Sequence, residues 1–254
     1  MCLADGGGSP PSARASVVMG PYWKSERVKR IVQPELLDTL PADDPRAVRS
    51  RRDLRRINAW MRNYTIMANA LHTAANSHTP KQIVELGAGD GDFLLRVAQK
   101  IFPCWPDVAV TLLDRQKNVS AETLALFTSF GWRAEAVVGD VFDWWQNPAE
   151  IVAINLFLHH FEDARLAELL RVVSERAGSF VAVEPRRACW PLFCSRLLWA
   201  IGCNSVTRHD ALVSVRAGFS GDELSALWPD KKNWQLTERR AGPFSHLFIA
   251  QRKI

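Results

Sequence analysis

The sequence predicts a doubly wound α/β fold, and three observations carry that expectation. A glycine-rich turn, Val84-Glu85-Leu86-Gly87-Ala88-Gly89-Asp90-Gly91-Asp92, follows a short apolar run and opens a stretch with apolar residues at helical spacing. A second apolar run, Ala109 to Asp114, closes on an acid 23 residues after Gly91, where a doubly wound fold places a ribose-hydroxyl ligand. Further strand-like runs, Ile151 to Asn155 and Ser179 to Pro185, are separated by the helical pattern of Asp163 to Ala177, with Leu166, Leu169, Leu170 and Val173 on one side.

The glycine-rich turn points to a nucleotide-bearing ligand, because three glycines let the backbone approach it with no Cβ in the way. Lys81-Gln82-Ile83-Val84 reads as the strand feeding the turn, and Phe93 to Ala98 as the helix leaving it. The charge of the turn excludes an ordinary phosphate cradle. Glu85, Asp90 and Asp92 flank the glycines, and carboxylates there repel a pyrophosphate from the helix N-terminus. A cationic or zwitterionic ligand fits better, which disfavours a dinucleotide oxidoreductase.

The Glu-x-Gly-x-Gly-x-Gly pattern resembles the first motif of class I S-adenosylmethionine-dependent methyltransferases, and the next features follow in that family's order. After the strand ending at Asp114 comes Ala136-Val137-Val138-Gly139-Asp140-Val141-Phe142, similar to the Gly-Asp segment that presents a carboxylate to the adenine amino group beside apolar residues flanking the ring. Ile151 to Phe161 resembles the fourth strand and its loop in quinone-biosynthesis-type and other small-molecule methyltransferases. The resemblance covers residues 80 to 185; beyond Pro185 it concerns fold order alone.

The resemblance implies a Rossmann-like seven-stranded sheet with an antiparallel last strand. It also implies a cofactor, S-adenosyl-L-methionine. The implied contacts are Glu85, Gly87 and Gly89 for the methionine end, Asp114 for the ribose, Asp140 for the adenine, and the Asn155 carbonyl for the ammonium; Ala88, Gly91, Arg115, Val141 and Leu156 complete the set. In-line methyl displacement requires mainly positioning, and a hydroxyl acceptor also benefits from a base. His160 and His209 are the base candidates. His209 stands beside Asp210, but side chains at i and i+1 usually diverge, so no dyad follows.

The remaining segments form accessories. Residues 1–20, rich in Gly, Ser, Pro and Ala, lack the apolar core of a signal peptide and read as a disordered tail. Residues 21–79 read as a helical lid. Six arginines fall within 11 residues (Arg46, Arg49, Arg51, Arg52, Arg55, Arg56), while Leu54, Ile57, Met61, Tyr64, Ala68 and Leu71 trace an amphipathic stripe expected to pack on the core. The arginines are then expected to face solvent or a partner. The domain proper spans 80–254. Within it, 186–219 is too long for a connector, and the resemblance implies a helical substrate lid there. His159, Trp190, Phe193, Trp199 and His246 are the candidate acceptor-pocket residues, with Phe219 as a further wall. A helix over Gly221 to Trp228, capped by Ser220, precedes two closing strands, Asn233 to Arg240 and Ser245 to Arg252.

Several classes are excluded or disfavoured. Asn155-Leu156-Phe157-Leu158 replaces the Pro-Pro-containing motif of adenine amino methylation, and Cys104 lies away from the position of a pyrimidine-methylating nucleophile. Without an acidic cluster after the fourth strand, no metal is expected. The five cysteines lack a paired framework, which suits a reducing cytoplasm. The longest apolar segment, Trp190 to Cys203, is interrupted by Arg196 and falls short of the roughly 20 residues of a membrane span. The expected activity is methyl transfer to a small aromatic or polyketide-like acceptor, with oxygen preferred. The alternatives are an RNA or protein methyltransferase docking through the arginine-rich helix, and a non-catalytic cofactor-binding protein. A nucleic-acid partner is not the expected one, although a net charge of +5 is too mild to decide, and a homodimer contact stays open.

Overall fold

The computed structural model describes residues 29–76, 78–144 and 148–253; the expected disordered tail and Cys2 lie outside them. In chain order the elements are α1 (Leu36–Thr39), α2 (Pro45–Trp60), α3 (Asn63–Ala74), β1 (Gln82–Leu86), α4 (Asp92–Ile101), β2 (Ala109–Asp114), α5 (Ala121–Thr128), β3 (Arg133–Val138), β4 (Ala149–Asn155), α6 (Asp163–Arg176), β5 (Ala177–Pro185), α7 (Cys189–Arg196), α8 (Ser205–Ala217), α9 (Glu223–Leu227), β6 (Trp234–Ala241) and β7 (Ser245–Arg252).

The seven strands form one sheet in the order β3-β2-β1-β4-β5-β7-β6. β1 to β5 are parallel, and β7 runs antiparallel between β5 and β6. The expected Rossmann-like sheet with an antiparallel last strand is therefore the observed one. Alternation along the central strands sends Ile83, Val110 and Leu112 into a core against α3, α4 and α5. Val84, Leu86, Ile154 and Phe180 enter a second core against α6 and α9. The chain reverses direction between β1 and β4, and the crevice at that switch point is the place where such sheets bind ligands.

Three local expectations need correction. The stripe from Leu54 to Leu71 does not lie along one helix, because Arg62 takes a left-handed backbone (φ 62°) and separates α2 from α3. The inward face of α2 is polar: Ser50 bonds Thr207 at 2.9 Å, and Asp53 accepts from Asn204 N at 2.9 Å. Ser220 does not cap α9; the N-cap is Asp222, and the Glu238 carboxylate takes the amides of Leu224 and Ser225 at 3.0 and 2.6 Å. The insertion holds a second helix, α8, with Asn204 capping it through Thr207 N.

The insertion rejoins the sheet at Gly218, where Phe219 N donates to Pro185 O at 2.9 Å and Arg187 donates to Gly218 O. A Cβ on Gly218 would fall inside van der Waals contact with the Pro185 carbonyl, a backbone atom already fixed by that hydrogen bond. Gly218→Ala is expected to lower stability by about 2–3 kcal/mol. Urea denaturation measures this, and a loss below about 0.5 kcal/mol, the level of a neutral surface change, contradicts the close approach.

Candidate active site

A cavity of about 1000 Å³ opens at the carboxyl ends of β1, β2 and β4. Its floor is the glycine-rich turn and the strand ends. Its roof is a strap formed by residues 29–40, together with Arg51, Leu54, Arg55 and Asn58 of α2.

The turn is shaped by short backbone contacts. Gly87 N and Ala88 N donate to Leu113 O at 2.9 and 3.0 Å, which ties β1 to the end of β2. Gly87 has φ 69°, and the Phe157 ring occupies the place a Cβ would take. Any larger residue there is both strained and obstructed. Space above Gly89 is open, and its amide donates to Asp114 Oδ2 at 2.8 Å.

Glu85 is fully buried below the turn. Burial first, then the charges of Asp90, Asp114 and Asp92, push its carboxyl well above the ordinary range. Its Oε2 and the Asn155 Oδ1 are buried without a hydrogen-bond partner among the described residues. Such atoms are rare and call for a donor. Asp114 likewise has a carboxyl raised by burial, while the Gln116 and Gly89 amides, each at 2.8 Å, act in the opposite direction. Asp140 accepts from Phe142 N at 3.0 Å, and its other oxygen lies 4.0 Å from the exposed Arg115. Val141 and Leu156 also line the wall; Leu156, the residue after β4, has a left-handed backbone (φ 53°), uncommon for a bulky residue and costly to hold.

The loop after β4 makes a 3-10 turn, Leu158–His160, whose two imidazoles lie side by side with centroids 4.4 Å apart, His159 buried and His160 half-buried at the cavity. His159 is buried in a ladder: Nδ1 meets Glu184 at 2.8 Å and Nε2 meets Glu35 at 3.1 Å. Burial alone pushes this imidazole down, but the two carboxylates override it and lift it to about 9. Burial pushes Glu35 up, yet the bond to His159, its charge, and the Ser214 hydroxyl hold it at about 2. His160 lines the cavity, with Nδ1 3.2 Å from Asp38 of the strap. Glu35, His159 and His160 offer potential ligand atoms within 4.8 Å of one another. With both His159 nitrogens engaged by carboxylates, the arrangement is an ion-pair ladder, and its imidazolium has no lone pair to offer a metal.

Placement of the expected residues divides cleanly. Glu85, Gly87, Ala88, Gly89, Asp114, Arg115, Asp140, Val141, Asn155, Leu156 and His160 line one cavity. Gly91 does not: it precedes α4 and packs against Leu112 and Thr123. His209 is exposed and outside the cavity, although its ring does reach Asp210 at 3.0 Å, contrary to the expected divergence. Asp210 has a different task, accepting the Leu36 and Leu37 amides at 2.8 and 3.0 Å and so pinning the strap to α8. His246 is buried against Glu238 at 2.7 Å behind the sheet, and Phe219 packs in the second core. Trp190, Phe193 and Trp199 are exposed on the outer side of the insertion, because only Pro191, Ser195 and Leu198 of that segment are turned inward.

The arginines of α2 meet the expectation in part: Arg46, Arg49, Arg52 and Arg56 are exposed, while Arg51 and Arg55 are half-buried and line the cavity. Arg55 pairs with Asp90 at 2.7 Å, Arg49 and Arg56 reach the carbonyls of Gly202 and Ile201, and Arg51 donates to Ala42 O. They tie the roof to the turn and the insertion. Sequence reasoning missed Glu35, Asp38 and Glu184. Glu184 had a weak signal in the Val-Glu-Pro strand end; the strap, without periodicity, had none.

No protein-family model matches the chain, and no curated protein matches it by sequence. Solved structures match its fold. The plantazolicin methyltransferase BamL, in complex with a triazolic desmethylPZN analog and SAH, aligns with TM-score 0.60 at 12% identity, covering 85% of this chain and 93% of that one. The mitomycin 7-O-methyltransferase MmcR aligns with TM-score 0.54 at 21% identity over 85% of this chain. An O-methyltransferase family protein from Burkholderia thailandensis aligns with TM-score 0.55 at 18% identity over 83%. This chain spans 60% and 61% of those last two. The chain has the Rossmann-like fold shared by these methyltransferase structures.

Proposed function

We propose that this chain is an S-adenosylmethionine-dependent methyltransferase acting at oxygen on a small aromatic or polyketide-like acceptor. One observation carries the reading: among the described residues Glu85 Oε2 and Asn155 Oδ1 are buried without a hydrogen-bond partner at the floor of the cavity, whose turn leaves open space above Gly89. A ligand with a cationic donor satisfies both, and a dinucleotide pyrophosphate satisfies neither.

Glu85 and Asn155 would hold the ammonium, the Gly87–Gly89 backbone the methionine chain, Asp114 the ribose hydroxyls, and Asp140 with Val141 and Leu156 the adenine. The bound cofactor supplies an electrophilic methyl group on a sulfonium. His160, oriented by Asp38, accepts the acceptor's hydroxyl proton at Nε2. Leu37, Leu54, Phe157 and Phe161 exclude water from the acceptor side. The strap and α2 serve as lid over an 80–254 transferase domain, and α8 of the insertion 186–219 holds that lid through Asp210. Free Cys104, Cys189, Cys194 and Cys203 support a cytoplasmic setting.

Calorimetric titration with S-adenosylmethionine, S-adenosylhomocysteine and NADH tests the reading. Micromolar binding of the first two alone is expected; binding of NADH alone overturns it. With a phenolic acceptor that turns over, His160→Phe is expected to lower kcat about 100-fold with cofactor affinity unchanged. A kcat within twofold of wild type removes His160 as the base.

A further inference from the structure

The outer face of the insertion is unlike the rest of the surface. Trp190, Phe193, Leu197, Trp199 and Ile201 are between 43% and 62% exposed and follow one another along α7 and the 3-10 turn Leu198–Ile201. Trp190 and Phe193 stack on each other at 5.9 Å, so the two rings form one projecting unit. The opposite side of the segment, Pro191, Ser195 and Leu198, is buried as α7 packs on α8. The segment is thus amphipathic, with its large apolar groups turned outward, and contiguous exposed apolar surface of this kind marks an interaction site.

Charge decides which partner fits. From Pro185 to His209 the chain holds no Asp or Glu. Arg196, in the last turn of α7, and Arg208 are exposed within this stretch. Arg49 and Arg56, also exposed, reach across from α2 to the carbonyls of Gly202 at 3.2 Å and Ile201 at 3.1 Å, so their guanidinium groups rim the apolar side chains. An apolar face carrying two tryptophans and rimmed by arginines matches the boundary of an anionic bilayer. Indole rings favour the headgroup level, and arginine stems lie along apolar surface while their charges meet lipid phosphates. Among the described residues no helix is long and apolar enough to cross a membrane, so such contact is in the plane of one leaflet.

We propose that α7 and the following turn form a docking surface for an anionic lipid bilayer. α8, against which α7 packs, holds the cavity roof through Asp210 and through Ser214, which donates to Glu35. The docked face and the strap therefore share one helix. The inference stands on surface chemistry and is independent of the reaction proposed above.

Flotation of the full chain with phosphatidylglycerol-containing vesicles, compared with pure phosphatidylcholine vesicles, tests it. Wild type is expected to float with the anionic vesicles, at least tenfold more than with the neutral ones at low ionic strength, and to be released as salt rises. Trp190→Ser with Trp199→Ser is expected to reduce the bound fraction at least tenfold with an unchanged circular dichroism spectrum. Arg196→Glu, at an exposed position outside the core, should weaken binding to anionic vesicles and leave weak binding to neutral ones unchanged. Absence of wild-type flotation with anionic vesicles overturns the proposal. So does a folded tryptophan variant that floats as well as wild type. Sedimentation of wild type as a dimer that the tryptophan changes convert to monomer would assign the face to a second copy of the chain instead.

Discussion

His159→Leu is expected to destabilise the protein by about 3–5 kcal/mol at neutral pH, the cost of breaking a buried ion pair by removing one partner. Leucine fills similar space but donates nothing, so Glu184 and Glu35 are left facing each other across an apolar side chain. Glu184 keeps the amides of Phe157 and Leu158 at 2.9 and 2.8 Å. Among the described residues Glu35 keeps the Ser214 hydroxyl as its side-chain hydrogen-bond donor, with His160 nearby. Most of the loss therefore falls on Glu35, and adding Glu35→Gln should restore at least about 1 kcal/mol by removing its charge. Urea denaturation of the single and double variants measures both, and a double variant no more stable than the single one would falsify this account.

The same ladder predicts a pH dependence. The imidazole is raised from 6.5 to about 9 in the folded protein, so its contribution is fully present below pH 6.5 and is lost as pH rises through about 9. Glu35 is lowered from 4.5 to about 2, so its contribution is present above pH 4.5 and is lost as pH falls through about 2. The two shifts describe one ion pair and are counted once. Stability is expected to be greatest between pH 4.5 and 6.5 as far as this pair is concerned. On the alkaline side a loss of about 3 kcal/mol is expected, and His159→Leu abolishes that slope. Because Glu35 belongs to the strap, cofactor affinity should fall over the same alkaline range.

Asp114→Ala is expected to weaken S-adenosylmethionine binding about 10- to 100-fold, the range for losing hydrogen bonds to a charged group. The carboxylate also holds Gly89 N and Gln116 N, so the alanine loses the ligand contact and slackens the turn together. Asp114→Asn can still accept from Gly89 N and should lose less. Titration calorimetry on the two variants separates the contributions, and unchanged affinity in Asp114→Ala removes the ribose assignment. Asp140→Ala, nearer the solvent, is expected to cost less than Asp114→Ala.

The βα order of the chain was legible because each element is specified by its own neighbours. Apolar runs, buried along most of their length, mark the strands Ala109 to Asp114 and Ser245 to Arg252 to the residue, and the Gly87-x-Gly89-x-Gly91 turn marks where β1 ends. The cavity floor followed, since residues at the carboxyl ends of adjacent parallel strands are brought together by the topology itself. The accessories were not legible in the same way. α2 buries Ser50, Asp53 and Asn58, a polar face that periodicity assigns to solvent and that becomes inward only because α8 supplies Thr207 and Asn204. The aromatic run of the insertion was read as a pocket wall, when α7 turns it outward.

By itself the sequence determined the succession of strands and helices, the glycine turn and the acids that face it, because these depend on patterns of two to four residues. Only the tertiary structure decided which histidine meets the cavity and which is locked away. His159 lies 124 residues from Glu35 and 25 from Glu184, and its neighbour His160 reaches Asp38 across a similar gap. A side chain's burial and charge state are set by partners that distant, and no local pattern records them.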